Sequence, residues 1–307
     1  MSEASSLGAN VVSLAHVETE IITTAPRQRI INRFLSHRFA LVGCILLLVL
    51  ALATLLAPVI APYQPTKVDF GSLNQPPSAQ HWFGTDGVGR DVFTRLLYGG
   101  QVSLTVGIFA VALYLGIGVT LGTIAGYKGG WIDNLIMRFT DIMMCFPSFV
   151  LMLILVGIVG ASLFNMVFII GLFGWTGIAR LIRAQVLYLR ELDYVTAARS
   201  IGCKERWILL NHIIPNLRGS LIVAATLGIG GAILAEAGLS FLGLGIAKPN
   251  PTWGTMLNDA RSPAQIEDQP WLWIAPGLAI SITVLSINFI GDGLRDAFDV
   301  RNTNSKG

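Results

Sequence analysis

Glu236 is the residue of this chain whose chemistry its surroundings constrain most. It interrupts an otherwise uncharged apolar run from Gly219 to Ala247. A lone carboxylate at bilayer depth is costly, so such a residue faces a polar pathway or is paired inside the protein. Two roles follow: contact with a cationic or amide group of a permeating solute, or a helix-to-helix hydrogen bond. Asn288, and Phe146 with the adjoining Pro147, also interrupt apolar runs and are pathway candidates of the same kind. Enzymatic chemistry is not expected, because no nucleophile stands beside a base. His16, His37, His81 and His212 fall in four separate regions without ligand spacing, so neither a metal nor a cofactor is expected. Gly84 to Gly89 has the spacing of a phosphate loop, but no Lys-Ser or Lys-Thr follows it.

A second kind of chemistry, recognition, lies in a polar, Arg-studded segment between apolar runs. Asp193 is a candidate N-cap for a helix carrying Tyr194, Val195, Thr196, Ala197, Ala198 and Ile201. Gly202 suits the left-handed position that ends such a helix. The pair Ala197–Ala198 leaves one face small enough to lie in a partner's groove. A further helix is expected from Lys204 to Ile214, with Trp207, Leu210, Ile213 and Ile214 at helical spacing, broken by Pro215. Two uses stay open on these residues: a partner-docking helix, or a helix lying on the membrane surface with its arginines at lipid phosphates.

These positions are carried by a chain built for lipid. Charged residues make up 13% of its 307 residues, against about 25% in soluble domains. Uncharged stretches run over Phe39–Pro62, Leu96–Tyr127, Ile142–Ala179 and Gln269–Gly291. A spanning helix needs about 20 residues, so Ile142–Ala179 divides in two, with a turn near Gly157–Ser162. An all-α polytopic protein with six transmembrane helices follows, with spans at about 39–61, 102–126, 139–159, 162–180, 219–242 and 270–291. Lys and Arg fix its orientation. With residues 1–38 inside, sixteen of the 21 basic residues fall on the inner side and five on the outer. Both termini (1–38 and 292–307) and the loop 190–216 are therefore expected in the cytoplasm.

Residues 1–25 read as a disordered tail, and the first span as an uncleaved anchor. Cys44, Cys145 and Cys203 imply no disulfide framework, and the basic residues flank spans without the aromatic interleaving that nucleic acid would want. Asp91 and Arg95 read as an i,i+4 pair on the helix leading into the second span. Gly118, Gly122 and Gly126 form a small-residue face for close helix packing within the subunit.

Thr196-Ala197-Ala198, Gly202 and Pro215 together resemble the EAA loop of ABC importer permeases. Thr196 stands where a Glu is usual in that loop, and Ile214 where Leu is common. Three further segments resemble the dipeptide, oligopeptide and nickel branch: His81–Gly99, Leu239–Gly245 with Trp253–Leu257, and Asn288–Asp296, after which Val300 follows Asp299 where Pro is usual. The resemblance covers about residues 30–300 and points to the second, C-type membrane subunit. It implies the type I importer permease fold in a bacterial inner membrane. The loop would be the coupling helix seated on one of two separate ATP-binding subunits. It also implies a second homologous permease subunit and a periplasmic or lipid-anchored solute-binding protein. The solute would be a peptide, with a nickel chelate, opine or glutathione as alternatives. A secondary transporter or channel would more often carry ionisable residues in several spans, where only Glu236 lies deep here.

Overall fold

The structure is a computed structural model and describes residues 26–247 and 249–298. The expectations for residues 1–25, for Asp299 and Val300, and for most of the C-terminal tail lie outside the described residues. Among the described residues every regular element is helical, and extended pairing is limited to an isolated bridge between Thr85 and Asp91.

The chain opens with α1 (Pro26–Ser36) and α2 (Arg38–Leu55); His37 caps α2 by accepting the Ala40 amide at 3.1 Å. A short α3 (Ala57–Ile60) continues it. After a long loop, α4 runs from Val92 to Lys128, 37 residues. At 1.5 Å per residue that is about 55 Å, well beyond the ~30 Å hydrocarbon layer, so its first turns project past the expected span.

The third expected span is not one helix. It is α5 (Gly130–Met144) and α6 (Ser148–Val159), bent by 79°. Pro147 is the cause: its ring fixes φ and removes a donor, and it biases Phe146 away from helical geometry. A left-handed Gly160 then leads into α7 (Leu163–Leu189), which Ser162 caps through the Asn165 amide.

The loop folds as α8 (Asp193–Ser200) and α9 (Glu205–Ile208). Pro215 does not break the helix that follows. Its missing N–H is absorbed by a π turn over Leu209–Ile213 and a 3₁₀ turn over Ile214–Leu217. The path continues into α10 (Arg218–Leu239) and a second π turn over Ser240–Leu244, where a left-handed Gly243 (φ +88°) kinks the end of this 40-residue segment. Two short helices, α11 (Trp253–Asp259) and α12 (Pro263–Asp268), precede α13 (Trp271–Phe298).

Five helical segments are long and apolar enough to cross a membrane, and the bent pair α5–α6 makes six. At the centre α4 lies along α7. A Cβ added at Gly118 would stand 2.9 Å from the Trp175 carbonyl, and one at Gly126 2.8 Å from that of Arg183. The glycine face is thus used within the subunit. Ion pairs from α7 hold α5 alongside: Arg183 to Asp133 (2.5 and 2.6 Å) and Arg180 to Asp141 (2.6 Å).

Candidate functional site

Helix α8 has an inward and an outward face. Val195 and Ala198 are buried, packed with Tyr127, Ile182, Val186, Ile208 and Ile213. Asp193, Tyr194, Thr196, Ala197 and Ser200 are exposed, and Ile201 is 81% exposed. The alanine pair is therefore split. Ala197 lies on the outward surface and Ala198 faces the protein's own core, because positions three apart share a helix face. Trp207 (48% exposed) and Leu210 (64%) extend the outward surface, so it is apolar with a polar margin.

The ends of α8 fix its angle. Leu192 is the N-cap and Asp193 the first helical residue, so Asp193 acts on the helix dipole and not as a cap. Gly202 has φ +82°, and its amide donates to the Arg199 carbonyl while Cys203 donates to that of Ala198. These paired bonds form a Schellman motif, with Cys203 and Ala198 packed beneath it.

Two attachments tie the helix itself to the spans, and Arg190, at the end of α7, ties the turn that leads into it. Asn216 donates to the Tyr194 hydroxyl at 3.3 Å, and the Tyr194 and His212 rings lie 5.7 Å apart, so α8 grips the foot of α10 beside Ile214 and Pro215. Arg190 donates to the Gly126 carbonyl at 2.8 Å at the end of α4. The Arg199 guanidinium stands over the Tyr127 ring. Displacing α8 would load the ends of both α4 and α10.

Glu236 is 0% exposed and has internal partners. Ser240 donates to its Oε1 at 2.7 Å and Ser103 to its Oε2 at 2.9 Å. The Ser103 hydroxyl also accepts the Trp253 amide, and Trp253 Nε1 donates to the Leu96 carbonyl. The carboxylate thus joins α4, α10 and α11, as the internal-pairing role requires; direct contact with a solute is closed off in this arrangement. Among the described residues no hydrogen bond or ring contact joins Glu236, Asn288 and Phe146. Asn288 is half-buried on α13, and Phe146 is 56% exposed at the bend.

The end of α4 opposite α8 is organised by charge. Asp91 caps α4, accepting the Thr94 amide at 2.7 Å and His81 Nδ1 at 2.9 Å. Arg95 does not pair with Asp91, whose carboxylate is occupied by the cap. It turns to Asp86 (3.7 Å) and Asp259 (3.3 Å), which Arg90 also contacts. Asp86 and Arg90 are an i,i+4 pair, but Asp259 lies 164 residues from Arg95 in sequence, so no local spacing rule could reveal its part in the cluster.

The chain matches the family model described as "Binding-protein-dependent transport system inner membrane component" over residues 118–304. Residues 25–77 match the N-terminal transmembrane domain of oligopeptide transport permease C. A candidate peptide permease of Brucella suis biovar 1 is 47% identical over 279 residues, covering 91% of this chain and 92% of that protein. The dipeptide transport system permease protein DppC of Alkalihalophilus pseudofirmus is 44% identical, covering 92% of each. The glutathione transport system permease protein GsiD of Pectobacterium atrosepticum is 42% identical, covering 87% of this chain and 89% of that protein. With its all-helical architecture and EAA-like loop, the chain belongs to the inner-membrane components of binding-protein-dependent transport systems, the permeases of ABC importers.

Proposed function

We propose that this chain forms half of the translocation pathway of a peptide importer, for dipeptides and oligopeptides. A second, homologous permease subunit supplies the other half, and two separate ATP-binding subunits supply the energy. A periplasmic or lipid-anchored binding protein delivers the solute, and alternating access moves it. Helix α8 is the coupling element. The observation that carries this is its two-faced construction: an exposed outward surface of Tyr194, Ala197 and Ile201 with polar neighbours, and an inward face packed at the ends of α4 and α10. In this reading Asp193, Tyr194, Thr196 and Ala197 meet the ATPase, while Ala198, Gly202, Ile214 and Pro215 hold the helix in place. Asn288 and Phe146 remain pathway positions; Glu236 shapes the pathway wall from behind. Both termini and α8 lie in the cytoplasm, as the charge asymmetry between loops requires.

Glutathione, itself a small peptide, is a second solute reading, favoured by the relative named for its transport. The test is uptake by proteoliposomes holding the full transporter with its binding protein, offered labelled dipeptide, oligopeptide and glutathione with and without internal ATP. ATP-dependent peptide uptake is expected. Uptake that persists without ATP sinks the importer reading, and ATP-driven uptake of glutathione alone selects the second solute.

A further inference from the structure

Asp86, Arg90, Arg95 and Asp259 line a cavity of about 220 Å³ at the end of α4 opposite α8, with Val88, Val92, Met256, Gln265 and Leu272 completing its wall. Arg95 is only 3% exposed, and its Nη1 has no hydrogen-bond partner. A buried guanidinium nitrogen left unpaired is costly, so the cavity is built to receive an acceptor.

The surrounding charges select among acceptors. Two carboxylates, Asp86 and Asp259, already face the two guanidiniums. An incoming carboxylate would be a third negative group beside Asp86 and Asp259 and would be repelled. An ammonium would face two arginines and leave Nη1 unpaired. An amide fits both demands: its oxygen accepts from Arg95 Nη1, and its N–H donates to the carboxylates. The volume lies below the roughly 300–1,000 Å³ of small-ligand sites, which excludes a whole peptide and suits one side chain. Val88, Val92, Met256 and Leu272 provide an apolar sleeve for its methylenes.

We propose that this cavity is a socket for one carboxamide side chain, Gln or Asn, presented by the solute-binding protein as it docks. The inference rests on the importer reading above. Val88 is 39% exposed on the rim, so the socket opens to a partner.

The test uses the complete transporter in lipid nanodiscs and a purified binding protein that stimulates its ATPase. Val88→Trp fills the rim and can keep the backbone N–H of residue 88 on Asp86, and Arg95→Gln removes the donor. Elution profile and melting temperature establish which variants are folded. Each folded variant is expected to weaken binding-protein affinity tenfold or more. A benzoylphenylalanine photo-crosslinker at position 88 is expected to capture a binding-protein segment bearing Gln or Asn. Changing that residue to the corresponding acid is expected to weaken docking more than changing it to Ala. Unchanged affinity in a folded Val88→Trp variant overturns the socket, as do crosslinks confined to lipid or to the permeases, or tighter docking by the acid. If stimulation by the binding protein survives any of these, the importer reading stands without the socket. If no binding protein stimulates the wild-type ATPase, both fall.

Discussion

At Glu236 the choice between pathway contact and internal pairing reduces to a hydrogen-bond account. Removing the carboxylate strands the hydroxyls of Ser103 and Ser240 in a sealed site, and each buried group left unpaired costs about 1–3 kcal/mol. Glu236→Ala should therefore lower the melting temperature of the purified subunit by several degrees. Glu236→Gln, whose amide can still bridge both serines, should stay close to wild type. An alanine variant that melts normally but transports poorly would return Glu236 to the pathway. The split alanine pair makes a sharper claim. In a cysteine-free background, Cys at Ala197 should react with a maleimide in the isolated subunit and be protected by the ATPase. Cys at Ala198 should be unreactive in both. Equal reactivity at the two positions would mean that α8 is rotated from the orientation described.

At the scale of elements, Gly202 shows how much the sequence disclosed. A Gly nine residues after the start of a polar helix has a physical meaning, the left-handed end of a helix, and φ +82° agrees with it. Gly202→Val should cost about 1–2 kcal/mol of local strain with open space around the added atoms. The subunit should therefore fold while coupling suffers: basal ATPase activity of the assembled transporter should persist as peptide-stimulated activity drops. Parallel loss of folding and of both activities would remove the coupling interpretation.

Membrane-crossing length was equally legible, because lipid makes apolar length a strong constraint. Other features were hidden for identifiable reasons. The 79° bend at Pro147 lies within one uncharged run, so hydropathy could not mark it. The π turn ahead of Pro215 changes hydrogen-bond spacing without disturbing the apolar period, so a break was expected where the helix only widens. The partners of Arg95 were hidden because a helix cap had taken the local carboxylate: Asp86 lies nine residues back across a loop, and Asp259 comes from distant sequence. The alanine pair was read as one surface because adjacent residues look alike in sequence, whereas on a helix they point about 100° apart.

Across the whole molecule, α4 and α7 share the most extensive helix–helix contact among the described residues. Glycines at every fourth position bring the two helices into close contact, and α8 reaches the end of this pair through Arg199 over Tyr127 while holding α10 through the Tyr194–Asn216 bond. The arrangement predicts that α4 and α7 move together during transport and that the change in shape falls elsewhere, at the bend before α6 and the π turns flanking α10. A disulfide between Gly126→Cys and Val186→Cys joins positions whose Cβ atoms would stand 2.8 Å apart, about 1 Å inside the disulfide range, so the helices must ease apart locally and the reduced double variant is the reference. Oxidising that pair should leave ATP-driven peptide uptake within about twofold of the reduced protein, since it locks a contact that never opens; twofold corresponds to about 0.4 kcal/mol. A short crosslink between Phe149→Cys on α6 and Gly238→Cys on α10, where Phe149 now packs against Gly238, should instead arrest uptake and be reversed by a cleavable linker. Arrest by the α4–α7 disulfide with free passage under the α6–α10 crosslink would invert the assignment, making the glycine-packed pair the moving joint.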